Sequence, residues 1–189
     1  MIIVRVPLRI SLGGGGTDLP GWYIKNGGFL ITASINKYIY LSGSFRYFDK
    51  KYWLSYSDVE KCDSINEIKH SIFKNVLQQY NFNQGIEIHS ISEIPGGSGL
   101  GSSGSFTVGL IKLLSIMSKT EMTKQEIAEK AAYIEMVELN SFCGKQDQYI
   151  SSYGGIISMN ISRKGSVIVK NLELDSTTLI SLNNNLLNI

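Results

Sequence analysis

The chain has 189 residues, of which 43% are hydrophobic and 18% charged, and its formal net charge is +2. This length holds one domain with a full core, or one domain and part of another. The positive charge is too small and scattered to argue for a nucleic-acid or anionic-membrane binder, so any anion site has to be local.

Met1 to Val6 carries no basic leader before a long apolar core, so no signal peptide is predicted. Ile2 to Val6 reads as a strand closed by Pro7. A glycine cluster, Gly13 to Gly16, then leads into Thr17-Asp18-Leu19-Pro20. Phe29 to Phe45, rich in Ile, Tyr and Thr, reads as one bent strand or a hairpin, and Tyr52 to Tyr56 as a shorter strand. From Asn66 to Tyr80 the apolar positions Ile68, Ile72, Phe73, Val76, Leu77 and Tyr80 recur at helical spacing. Gly85 opens the alternating strand Ile86 to Ile91.

The run Pro95-Gly96-Gly97-Ser98-Gly99-Leu100-Gly101-Ser102-Ser103 follows that strand and precedes a helical pattern. Side chains this small let backbone N–H groups crowd around an anion, and the following helix points its positive end at the same place. The run is not a Walker A loop, because no Gly-Lys-Ser/Thr follows its glycines. It is not a dinucleotide fingerprint either, since no acidic residue ends a strand about 20 residues later. Ser102 or Ser103 is expected to cap the helix, which is apolar nearly all round through Phe106, Leu110, Leu113 and Met117 and is therefore buried.

Thr123-Lys124-Gln125-Glu126 has the spacing of a capping box and opens a helix expected to reach about Leu139. Gln148 to Ser152 suggests a short helix that Asp147 could cap. Ile156 to Asn160 and Val167 to Val169 read as strands around an Arg163-Lys164-Gly165 turn. The last residues, Leu179 to Ile189, show no clear cap or closing turn, which predicts a truncated chain. Strands mix with helices without regular βαβ alternation, so the expected class is α+β in one domain over 1–189. Cys62 and Cys143 lack CxxC spacing, which points to a reducing cytoplasm and away from a zinc site. No apolar run approaches the ~18 residues that a bilayer span needs.

Three small-residue clusters stand apart in the chain: Arg9 with Gly13 to Asp18, the loop from Pro95, and Gly144-Lys145-Gln146-Asp147-Gln148. Together they resemble the GHMP small-molecule kinases, whose phosphate loop Pro-x-x-x-Gly-Leu-Gly-Ser-Ser is matched by Pro95 to Ser103. Pro7-Leu8-Arg9 through Thr17-Asp18 is similar to the N-terminal motif of the sugar kinases in that family. The wording Gly-Gly-Gly-Gly-Thr-Asp-Leu-Pro and Gly-Lys-Gln-Asp-Gln-Tyr resembles the family's heptose branch. The resemblance implies the family's N-terminal domain, a ribosomal protein S5 domain 2-like fold, and a C-terminal lobe that this length does not hold. Apolar surface left where such a lobe docks predicts a homodimer or aggregation.

The resemblance also implies roles for residues, with ATP and Mg²⁺ as cofactors. Gly97 to Ser103 would cradle the phosphates, and Ser102 or Ser103 with Glu135 would complete the Mg²⁺ shell. Glu135 is preferred over Glu138, which stays in reserve. Asp147 would be the catalytic base, and Arg9 would orient groups and stabilise charge, since arginine does not readily give up a proton. Asp18, with Thr17, Gly15 and Gly16, would hold the sugar. Lys145, Arg46 and Lys37 are candidates for gripping a phosphate on a small-molecule sugar phosphate. Tyr52 and Trp53 are candidates for flanking adenine.

The activity implied is ATP-dependent phosphorylation of the anomeric hydroxyl of D-glycero-α-D-manno-heptose 7-phosphate. One alternative is another sugar 1-kinase of fucose or arabinose type. From a different class, the chain could be a silent ATP- and sugar-binding regulator. Asp147, Glu135 and Arg9 together argue against silence, because a sensor needs the ligand site but not the base.

Overall fold

A computed structural model describes residues 1–186 and places them in one seven-stranded mixed sheet backed by helices. The elements in chain order are β1 (Ile2–Gly13), α1 (Pro20–Asn26), β2 (Gly28–Arg46), β3 (Tyr52–Ser55), β4 (Val59–Cys62), α2 (Ser71–Gln78) and β5 (Gly85–Ser92). They continue with α3 (Ser102–Met117), α4 (Lys124–Tyr133), α5 (Gln146–Tyr153), β6 (Ile156–Ile161), β7 (Val167–Asn171) and α6 (Ser176–Asn185). The C-terminal run expected to lack a clear cap forms α6, whose N-terminus Asp175 caps by accepting from the Thr178 N–H at 2.8 Å; residues 187–189 lie outside the described residues.

The 19-residue strand β2 organises the sheet. It pairs antiparallel with β1 along most of its length, with β6 through Gly28–Ala33 and with β5 through Ile39–Arg46. β3 runs parallel to β5 and antiparallel to β4, and β7 extends β6. Helix α3 lies across β1 and β2, flanked by α2, α4 and α5. Its nearly continuous apolar surface is the centre of the main core, with Leu8, Leu41, Phe73, Ile88, Leu110 and Leu113 all buried. A second core of Leu30, Tyr149, Ile150, Ile157 and Met159 lies beneath the β6 end.

Several expectations need correction. β1 does not close at Pro7 but runs on to Gly13, with a register shift between Pro7 and Arg9. Tyr38, opposite Pro7, turns its own N–H and C=O away toward Glu93, so no β2 acceptor waits for the proton Pro7 lacks. The Phe29 to Phe45 segment is one strand rather than a hairpin. The helix expected from Asn66 starts only at Ser71, after a 3₁₀ turn at Ile65–Glu67. The buried Glu60 carboxylate accepts from the N–H groups of Lys69 (2.7 Å) and His70 (3.0 Å), which holds that stretch out of the helix.

The capping box at Thr123 and Glu126 is present with both reciprocal bonds. Its α-helix ends at Tyr133, however, and Ile134–Glu138 continues as a π-helical turn. Neither Ser102 nor Ser103 caps α3; Gly101, in the left-handed conformation at φ 77°, stands at that position. Sequence patterning gave no sign of the short elements α1, β4 and α6.

Candidate active site

β5 ends at Ser92, and the loop that follows returns to the sheet through Gly101. Gly97, Gly99 and Gly101 have φ of 80°, 75° and 77°, a region that favours glycine and turns alternate N–H groups to one side. The loop from Pro95 to Gly99 is exposed, and it opens directly onto the N-terminus of the 16-residue helix α3.

Two elements distant in sequence tie this loop to a carboxylate. Arg9, on β1, donates from its backbone N–H to Leu100 C=O (3.0 Å) and from Nη1 to Gly99 C=O at 2.6 Å. The same guanidinium donates from Nε to Asp147 Oδ1 at 2.7 Å, and its Nη2 forms an ion pair with that oxygen at 2.7 Å. Asp147 lies in the first turn of α5 and does not cap the helix. Its position requires glycine across from it, because a Cβ on Gly104 of α3 would come within 2.6 Å of the Asp147 Cβ. The α3–α5 contact is further fixed by Ser105 Oγ, 2.8 Å from Ser151 Oγ and donating to Pro7 C=O at 2.9 Å.

Glu135 stands on the π-helical turn, where the extra residue per turn aims it at α3. It is 3% exposed. Of the two serines open to this role, Ser103 reaches it: Ser103 Oγ donates to Glu135 Oε2 at 2.9 Å, while Ser102 shows no side-chain hydrogen bond. Glu135 Oε1 is buried without a partner. Burial raises the Glu135 pKa above the ordinary carboxylate value, with Thr107, Ser103 and Gln148 opposing that shift. Gln148 Oε1 is a second buried acceptor without a partner. An orphaned carboxylate oxygen beside a serine hydroxyl and a polyphosphate-type cradle fits a hard divalent cation.

Asp18 is buried and accepts from the Gln146 backbone N–H at 2.9 Å, which brings the N-terminal glycine cluster against α5. Gly144 makes this approach possible, since a Cβ there would overlap the Asp18 carboxylate. Thr17 Oγ1 is engaged with backbone, lying 2.7 Å from Gly14 C=O and 2.9 Å from Phe29 C=O, one of which takes its single proton, and accepting from the Phe29 N–H at 3.2 Å. Gly15 and Gly16 are exposed in the same turn. Lys145 Nζ donates to Gly165 C=O at 2.5 Å, and burial lowers its pKa.

The other candidates lie elsewhere. Arg46 is buried and committed to Asp49 and Glu87 at 2.7 and 2.8 Å. Lys37 is exposed on β2. Trp53 already carries two cations over its ring, Arg46 at 4.0 Å and Lys61 at 3.9 Å from the centroid. Tyr52 lines a cavity of about 660 Å³ near the start of β5, at the end of that strand away from the loop. The Ser105–Ser151 bridge and the placement of Gln148 escaped sequence reasoning. Only the Gln-Asp-Gln run hinted at the second.

The mixed sheet, the glycine-rich loop on α3 and the guanidinium linking that loop to Asp147 define an α+β domain with one candidate anion site. Residues 66–155 match the family model described as the GHMP kinases N terminal domain. The chain carries the N-terminal domain of the GHMP kinases. It is 33% identical over 184 residues to D-glycero-alpha-D-manno-heptose 7-phosphate kinase of Campylobacter jejuni, covering 92% of this chain and 54% of that protein. Galactokinase of Thermotoga petrophila is 27% identical over 158 residues, covering 80% of this chain and 43% of that protein. In fold, the chain is similar to the crystal structure of a D-glycero-D-manno-heptose 1-phosphate kinase from Bacteroides thetaiotaomicron, with a TM-score of 0.88 and 24% identity. That match covers 96% of this chain and 63% of the other. The chain thus spans about half the length of the curated relatives it matches.

Proposed function

We propose that this chain supplies the phosphate-binding and base-bearing half of an ATP-dependent sugar kinase. Its acceptor is the anomeric hydroxyl of D-glycero-α-D-manno-heptose 7-phosphate. The observation that carries the proposal is Arg9, which joins the phosphate loop at Gly99 to the Asp147 carboxylate in one side chain. Phosphoryl transfer is largely positioning and charge stabilisation, and such a bridge keeps donor and acceptor sites in fixed register.

In this reading the N–H groups of Gly97 to Ser103 bind the ATP phosphates, and Ser103 with Glu135 holds Mg²⁺. The bound metal supplies charge neutralisation for the phosphates. Asp147 accepts the proton of the anomeric hydroxyl, whose oxygen forms the new P–O bond as the bond to the ADP oxygen breaks. Arg9 orients Asp147, and Asp18 orients the sugar hydroxyls. The similarity to a heptose 7-phosphate kinase over 92% of the chain supports this choice of acceptor.

The test is a coupled ADP-release assay, across free sugars and sugar phosphates, on a full-length kinase that carries this chain as its N-terminal half. The expected result is a preference for the heptose 7-phosphate. Preference for a free hexose would replace it with the galactokinase-like reading, and ATP binding without turnover on any sugar would favour the regulator.

A further inference from the structure

The free edge of β1 presents hydrogen-bonding groups that no described residue uses. Among the described residues β1 pairs only with β2. In an antiparallel pair each residue turns its N–H and C=O to one edge, and successive residues alternate. Tyr38 turns both groups toward Glu93, its N–H donating to Glu93 Oε2 at 2.7 Å and its C=O accepting from Glu93 N–H at 3.1 Å. Its partner Pro7 therefore faces away from β2, and so do Arg5 and Ile3 in the unbroken register from Ile2 to Pro7. At Pro7 the edge is closed, because its C=O accepts from Ser105 on α3 and Ser151 on α5. Ile3 and Arg5 are exposed.

Below this stretch runs a groove of about 360 Å³ between β1 and the helices. Val108 and Ile116 of α3, Met122, and Ile127 of α4 give it an apolar floor. Its charged lining residues are Arg5, Lys112 and Lys124, with no carboxylate among them. Two of these cations are held in place. Lys124 Nζ donates to Tyr153 C=O at 2.9 Å, and the Arg5 guanidinium lies 4.4 Å from the Tyr38 ring centroid.

We propose that the β1 edge is a docking site for an extended acidic segment of another polypeptide. The segment adds as a strand beside Ile2–Val6, bonding the N–H and C=O of Ile3 and Arg5. On the face turned to the groove its side chains are apolar over Val108 and Ile127 and acidic beside Lys112 and Lys124, while a carboxylate on the opposite face meets Arg5. Charge complementarity selects this occupant over a second copy of the chain. Pairing β1 with itself would bring two sets of these three cations together without a counter-charge. Native sheet edges are commonly blunted by charge and proline; here Pro7 and α5 close the edge only beyond Val6, leaving a two-residue window. Ile3 lies six residues along β1 from Arg9, roughly 20 Å away, so the site is separate from the chemistry at Asp147.

Fluorescence anisotropy on the whole chain tests this, with a labelled seven-residue peptide of valine and glutamate that places both residue types on its groove-facing side. Saturable binding is expected, with the same peptide bearing lysine in place of each glutamate failing to bind. Arg5→Pro removes an outward N–H while sparing the bonds to β2, and Lys112→Glu reverses a rim charge. Each should weaken binding by about tenfold or more. The second variant keeps the test decisive if the first fails to fold. Equal binding of both peptides, binding unchanged by Lys112→Glu, or no binding of the glutamate peptide would each overturn the proposal. So would self-association of the chain that Arg5→Pro abolishes.

Discussion

At the scale of single residues, the site depends on absent side chains as much as on present ones. Asp147 can approach α3 only because position 104 is glycine, and Asp18 can reach the α5 backbone only because position 144 is. Gly144→Ala should therefore push the Asp18 carboxylate off the Gln146 N–H. The sugar KM is expected to rise at least tenfold, with a smaller change in kcat, and steady-state kinetics with sugar as the varied substrate would show it. An unchanged KM would remove Asp18 from the sugar site. Asp147→Asn keeps size and polarity but loses the base, and kcat should fall by about 10²–10⁴ while nucleotide affinity is retained. Full turnover in that variant would end the base assignment.

Elements show where periodicity reaches its limit. The apolar spacing and the capping box forecast α4, but the π-helical turn at Ile134–Glu138 leaves no mark in a 3.6-residue pattern. That turn is what aims Glu135 at Ser103, so the residue could be named from family wording while its placement could not. The same holds at Glu60, whose buried carboxylate overrides the helical spacing before Ser71 through three partners scattered over Tyr56, Lys69 and His70. Phosphate-loop glycines were legible because backbone geometry demands that residue type locally. Arg46 looked like a candidate cation because its partners Asp49 and Glu87 meet it only in the folded sheet.

That cluster gives an acid-stability prediction. Hydrogen bonding to Arg46 lowers the Asp49 pKa from 3.8 to about 2. A depressed carboxylate stabilises the fold above its unfolded value and loses that contribution as pH falls through the folded one. Asp49→Asn should thus lower the melting temperature at pH 7, and the gap to the parent should close between about pH 4 and pH 2. A gap that persists at pH 2 would mean the Asp49 charge is not the cause. At the start of α4, Thr123→Ala removes both the side-chain acceptor and half of the capping box. A loss of ~0.5–2 kcal/mol in denaturant unfolding is expected.

For the whole molecule, exposed apolar residues gather near the site. Tyr133 and Val137 share one helical face, and Phe142 is 96% exposed in the loop leading to Gly144. These side chains should make the chain self-associate, and sedimentation equilibrium should show a mass that rises with concentration. Val137→Ser with Phe142→Ser should return it toward monomer. A monodisperse monomer at all concentrations would refute this.

β2 carries a consequence in time rather than space. It is flanked by β1, β5 and β6, so its amides are released only when the sheet as a whole comes apart. Deuterium exchange along Ile39–Gly43 should then proceed at the rate of global opening, while α6 exchanges by local fraying. The Gly28–Ala33 half waits for β6, more than a hundred residues further along the chain, before it gains its second neighbour. Refolding is accordingly expected to protect the β1–β2 amides first and the β6 amides last, leaving the Asp18 side of the sugar site as the final part to acquire its shape.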